Sequence, residues 1–211
     1  MEWPPYTSAT MTDNGETTAL LRRIFADLGY QLEIDFVPWS RAVRMGTADH
    51  PYDGYFPEYQ VQEAGRLQSD SLGSSLIGFA YKADLILPEI NLQMLQRLSL
   101  GVVQDYINQH QLDLWIRQGL LKPQYALSDQ QNLLKLVNGR VELIVIDQRV
   151  MDYWLQQDSK LHPYREQIRF HNQFSERKTL HLVLNDNPRL RQLMHQLNSA
   201  LGNQTRSDAA R

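Results

Sequence analysis

The residues able to do chemistry are few, and their spacing excludes more than it offers. There is no cysteine, which removes thiolate nucleophiles, cysteine-ligated zinc and iron–sulfur sites. The six histidines stand at 50, 110, 162, 171, 181 and 195. None falls at the i, i+4 spacing that sets two imidazoles on one helix face for a metal, so no metal site and no cofactor are expected. "GSSLIG" has the wrong spacing for a Gly-x-Ser-x-Gly nucleophile elbow, and no phosphate-cradling glycine loop occurs. What remains is carboxylates and aromatics near the ends of apolar runs. Asp147 follows Leu143–Ile146, where a strand leaves its sheet. A carboxylate there either caps the following helix or accepts a hydrogen bond from a bound cation.

These side chains must be positioned by alternating strands and helices. Leu20, Leu21, Ile24, Phe25 and Leu28 recur at helical spacing and stop at Gly29, predicting a helix over 16–28. Leu32, Ile34 and Phe36 alternate with Glu33 and Asp35, predicting a strand over 31–37. A short helix follows Pro38, and 52–56 reads as a second strand. Further strands are predicted at 73–81, 98–103, 141–146 and 179–184. Further helices are predicted at 89–98, 107–119, 128–138, 148–156 and 188–201. The last ten residues, Gly202 to Arg211, carry little apolar content and are expected to fray. This β-α-β rhythm argues for an α/β fold with helices packed on sheets.

The totals fit one domain or two small lobes: 211 residues, 42% hydrophobic, 21% charged and a formal net charge of −3. Such a chain buries a sizeable core without disulfides. No basic stripe occurs, which argues against a nucleic-acid partner. No apolar run is long enough to span a bilayer, and Met1 is followed directly by Glu2, Trp3 and two prolines rather than by a secretory signal.

Six segments, in order, resemble the family 3 extracellular solute-binding proteins, the amino-acid-binding receptors of ABC transporters. They are "EWPPYT", "ALLRRIFADLGYQLEIDFVPWSRAV", "YDGYFPEY", "LSLGVVQDY", "NLLKLVNGRVELIVIDQRV" and "LHLVLNDNPRLRQLMHQLNSAL". The resemblance implies a type II periplasmic-binding-protein-like fold. Each of its two lobes is a mixed sheet flanked by helices, and two crossing hinge strands join them. Lobe I is expected at 1–80 plus 183–211 and lobe II at 81–182, with a ligand in the inter-lobe cleft. It further implies a periplasmic monomer, without catalysis, that hands a small polar solute to a membrane transporter permease. Relatives carry a strand and a signal peptide before the first motif and a helix after the last, so a chain shortened at both ends is expected.

The same resemblance assigns candidate ligand contacts. Asp147 matches the acid that accepts from a ligand ammonium. Tyr6 matches the aromatic packed over the ligand, and Trp39 the aromatic of the Pro-Trp pair. Tyr55, Phe56 and Tyr59 flank the loop after the third strand. The chain departs from the family at Gln62, where α-amino-acid binders carry a carboxylate-gripping arginine; Arg66 lies one turn later. It departs again at Gln104-Asp105-Tyr106, where a small hydroxyl residue is usual, and at Glu58, where relatives are neutral. Glu58 and Asp105 therefore favour an amine-bearing solute over a plain α-amino acid, unless both point to solvent. The alternatives left open are the sensing domain of a receptor, a dehydratase on the same fold, and a degenerate copy that binds nothing.

Overall fold

A computed structural model describes residues 1–46, 51–60, 64–87 and 89–208, without the side chains of 173 and 204–208. The chain divides into two units, 1–74 with 178–211 and 75–177. Both divisions fall inside strands, β3 (Ser74–Lys82) and β7 (Ile168–Asn185). The expected boundaries at 80 and 183 lie in the same two strands.

The first unit joins α1 (Glu16–Asp27), α2 (Trp39–Met45), β1 (Gly54–Tyr59), β2 (Arg66–Gln68), the last residues of β7, and α7 (Pro188–Asp208). β1 and β2 both pair antiparallel with β7. The helical periodicity of α1 brings Leu21, Ile24 and Phe25 against Leu190, Leu193 and Leu197 of α7 and Leu182 and Leu184 of β7. Gly15, at φ 96°, turns the chain into α1; a Cβ there would meet the Tyr6 carbonyl oxygen at 2.7 Å. Gly54 is more restrictive, because a Cβ would lie 2.0 Å from the Val183 carbonyl oxygen on the paired strand. Backbone in a ladder cannot step aside, so Gly54→Ala is expected to cost about 3 kcal/mol, the upper end of overpacking. Thermal unfolding checks this, and an unchanged midpoint would contradict the β1–β7 register.

The second unit holds β3, α3 (Leu92–Leu95), β4 (Leu100–Val103), α4 (His110–Arg117), β5 (Gln124–Ala126), α5 (Asp129–Val137), β6 (Leu143–Asp147), α6 (Gln148–Gln157) and the start of β7. Its strands run in the order β7-β3-β6-β4-β5. β3 is antiparallel to β6, while β4 is parallel to both β6 and β5. All five residues of β6 are buried, as a central strand covered on both faces requires. Leu143 and Val145 join Ile77, Phe79, Leu95 and Leu112 in one core. α5 starts where Ser128 accepts from the Gln131 amide, a side-chain cap.

Three expectations are corrected. Residues 31–37 form no strand, although their exposure alternates as the sequence predicts; no strand among the described residues pairs with them. The predicted helix at 89–98 shortens to Leu92–Leu95. The expected fraying from Gly202 gives way to helix through Asp208, because adding residues to an established helix is cheap compared with starting one; 209–211 lie outside the described residues. β2, β5 and the first half of β7 add strands that the sequence did not reveal.

Candidate functional site

In the first unit the opening motif folds on itself. Trp3 and Thr7 form a β-bridge. The Trp3 and Tyr6 rings stack at 4.5 Å, and Tyr59 meets Trp3 edge-on at 6.0 Å. All three aromatics are buried. Tyr6 donates its hydroxyl to the Ser74 carbonyl at 3.3 Å, which fixes the ring. Lys178 places its ammonium 5.4 Å from the centre of the Tyr59 ring, within cation–π range. Glu58 is 8% exposed, and its carboxylate accepts from the Tyr59 amide at 2.7 Å. Opposite it on β7, His181 contacts the Ser69 carbonyl and the Thr179 hydroxyl, each at 2.7 Å. The structure thus gathers Tyr6, Glu58 and Tyr59, with Trp3 and Lys178, which the sequence reading passed over.

A second group lies on the other side of the irregularity between Tyr55 and Glu58. Trp39, at the start of α2, packs edge-on against Tyr55 at 5.6 Å. Arg66 donates to the Gly46 carbonyl at 2.6 Å and to Asn185 Oδ1 at 2.5 Å. Its guanidinium sits 6.0 Å from the Tyr55 ring. Two hydrogen bonds inside its own unit hold Arg66 as a tie between α2, β2 and β7. Gln62 lies outside the described residues.

In the second unit Asp147 is 2% exposed. Its Oδ2 accepts from the Ser75 hydroxyl at 2.6 Å and from the Leu76 amide at 3.0 Å. Its Oδ1 accepts from the Val150 amide at 2.9 Å and caps α6. The carboxylate therefore binds β3 to the start of α6. Asp105 is exposed at φ 61°, a left-handed turn that Asp tolerates. It does not share the buried environment of Asp147.

The sequence marked the neighbourhood of Asp129 only as a helix start. Asp129 is 3% exposed, and its carboxyl is pushed up to about 7. Burial is the main cause, and the negative charge of Asp147 adds to it; a hydrogen bond from Tyr106 pulls the other way. Oδ2 of Asp129 and both amide atoms of Asn132, one turn on, are buried without a hydrogen-bond partner among the described residues. Burial and Asp147 likewise raise Asp152. The second unit thus buries two acids, one of which holds a proton near neutral pH. Acid residues in the first turn of a helix are ordinarily solvated, so nothing in the sequence distinguished Asp129.

No protein-family model matches the chain, and no curated protein sequence does. Solved structures do. A histidine kinase sensor domain with similarity to periplasmic binding proteins superposes with a TM-score of 0.80 at 12% identity, covering 99% of this chain and 88% of its own. An arginine-bound variant of ArgBP from T. maritima gives 0.75 at 12% identity, covering 96% and 91%. The substrate-binding protein of an amino acid ABC transporter gives 0.73 at 15%, covering 98% and 91%. The chain has the type II periplasmic-binding-protein fold.

Proposed function

We propose that the chain is a solute-binding protein that captures a small polar, amine-bearing solute and delivers it to a membrane transporter, without transforming it. The supporting observation is a fold match over 96% or more of the chain with an arginine-bound protein and a transporter's substrate-binding protein. Fold alone does not confer function, so the residues carry the ligand class. Tyr6 and Glu58 of the first unit are the proposed contacts, an aromatic ring and a carboxylate suited to a cation. Asp147 is proposed to act chiefly by holding β3 and α6. The proposed compartment is the periplasm; no helix among the described residues is long and apolar enough to cross a membrane.

A second reading rests on the sensor-domain match: the same capture of solute, coupled to a kinase instead of a transporter. Co-purification with a permease or with a kinase separates the two.

A thermal-shift screen against amino acids, polyamines and small organic acids tests the proposal. At ~100 times its dissociation constant a ligand adds about 2.7 kcal/mol, which for a chain of this size raises the midpoint by roughly 5–10 °C. An amine should give this shift, and Glu58→Gln should reduce it. A folded sample stabilised by none of these compounds sinks the reading. Stabilisation by α-amino acids alone would sink the amine preference and return attention to Arg66.

A further inference from the structure

The aromatic group of the first unit already holds a cation of its own. Lys178 and Tyr59 meet because of strand register. Tyr59 lies opposite Leu180 on β7, and Lys178, two residues before Leu180, stands on the same side of that strand. It is therefore the diagonal neighbour of Tyr59, at a separation that a long side chain spans. Its ammonium rests 5.4 Å from the centre of the ring. Tyr6 stacks on Trp3 at 4.5 Å, whereas the Tyr59 ring stands at 80° to that of Trp3 and is not stacked on it.

The two sides of this contact differ in freedom. The rings are buried and held. The Tyr6 hydroxyl donates to the Ser74 carbonyl at 3.3 Å, and the Tyr59 amide donates to Glu58 at 2.7 Å. Lys178 is only half-buried, and Arg177 and Thr179 on either side of it are exposed. A lysine ammonium is compact, strongly hydrated and carried on a flexible four-carbon stem, so on leaving the ring it regains water at little cost. A fixed aromatic surface under a movable cation is a place where one cation can replace another.

We propose that Lys178 is a tethered competitor for the cationic group of the solute: its ammonium holds the Tyr59 ring until a solute cation displaces it, and so sets which cations bind. This rests on the reading of the chain as a receptor for an amine-bearing solute and narrows it. A primary ammonium in solution offers the ring only what Lys178 already gives, and it competes with a tethered group whose effective concentration is on the order of millimolar. A guanidinium offers more, because it is planar, more weakly hydrated and stacks on aromatic faces. Lys178 thus turns the site from primary amines toward guanidinium-bearing solutes.

Agmatine and putrescine make a matched pair of probes, since they share a four-carbon chain and differ by one guanidinium in place of one ammonium. Their affinities are measured by calorimetry for the parent and for Lys178→Met, which keeps the stem and removes the charge. Circular dichroism checks that both are folded. The parent should bind agmatine about tenfold more tightly than putrescine, and Lys178→Met should gain about tenfold for putrescine. The ε-methylene protons of Lys178, shifted by the Tyr59 ring current in the free protein, should return to their solvent position at saturating agmatine. Unchanged or weakened putrescine binding by Lys178→Met overturns the proposal, as does an ε-methylene signal that stays put, or equal binding of both probes by the parent. In each of these cases the parent still binds an amine, so the solute reading stands. Binding by Lys178→Met alone supports the displacement and overturns capture by the parent. No binding of either probe to either folded protein overturns both.

Discussion

Asp147→Ala is expected to lower stability by about 4 kcal/mol. Three donors converge on this carboxylate: the Ser75 hydroxyl, the Leu76 amide and the Val150 amide. Hydrogen bonds to a charged group contribute roughly 1.5–3 kcal/mol each, and orphaning buried donors adds a desolvation penalty. Loss of a helix cap alone costs ~1 kcal/mol. The contributions overlap, so the total falls below their sum. Asp147→Asn keeps one carbonyl acceptor and should lose about half as much. Urea unfolding measures both. A midpoint for Asp147→Ala within error of the parent would mean that the carboxylate is not structural and is free to serve a ligand. The same result governs how binding data are read: if Asp147→Ala unfolds the second unit, its loss of solute response says nothing about direct contact.

The second large effect is on pH. The carboxyl of Asp129 stands at about 7 in the folded chain against 3.8 for an ordinary Asp. Between these values the folded state keeps a proton that the unfolded state releases. Stability therefore falls as pH rises from about 4 to about 7 and is flat above that. The whole loss is on the order of 4 kcal/mol. Asp158 and Asp186 are held low by their hydrogen bonds and act in the opposite sense; their contribution is lost only as pH falls below the ordinary carboxylate range. The two windows do not overlap. Asp129→Asn should remove most of the slope between pH 4 and 7, leaving the smaller contribution of the raised Asp152, and leave the variant more stable than the parent above pH 7. Urea titrations at intervals across that range give the answer. An unfolding free energy that rises with pH in the parent would show that Asp129 is ionised in the fold.

How much of this was legible beforehand depends on what set each element. α1, α5, α6 and β6 carry their own periodicity, so burial in the structure follows from the pattern. The first half of β7 does not. Arg169, His171, Asn172, Ser175 and Glu176 offer no alternating apolar face. This stretch becomes a strand because β3 lies alongside it, with the Phe170 ring over Gly78. The three-residue strands β2 and β5 are likewise made by their neighbours. Residues 31–37 show the converse, a strand pattern without a partner strand among the described residues. At the site, the place of Asp147 was readable from the apolar run before it, and so was its capping of the following helix; its hold on Ser75 and Leu76 of β3 was not. The burial of Asp129 was not, because it depends on α5 packing against β4 and β6. Arg66 looked available in sequence and is engaged by Gly46 and Asn185 in the fold.

The division of the chain has a consequence for its manufacture. Residues 75–177 form one unit from an uninterrupted stretch, whereas the other is assembled from 1–74 and 178–211. The core of the split unit needs α1 and α7 together. On a ribosome, residues 1–74 emerge before 75–177 and must wait, with Leu21, Ile24 and Phe25 uncovered, until α7 has been made. At ≈ 5–20 residues per second that delay runs to roughly ten seconds or more. The inserted unit has all its parts before then and can fold first. The waiting helix is thus the part of the nascent chain most in need of a holdase.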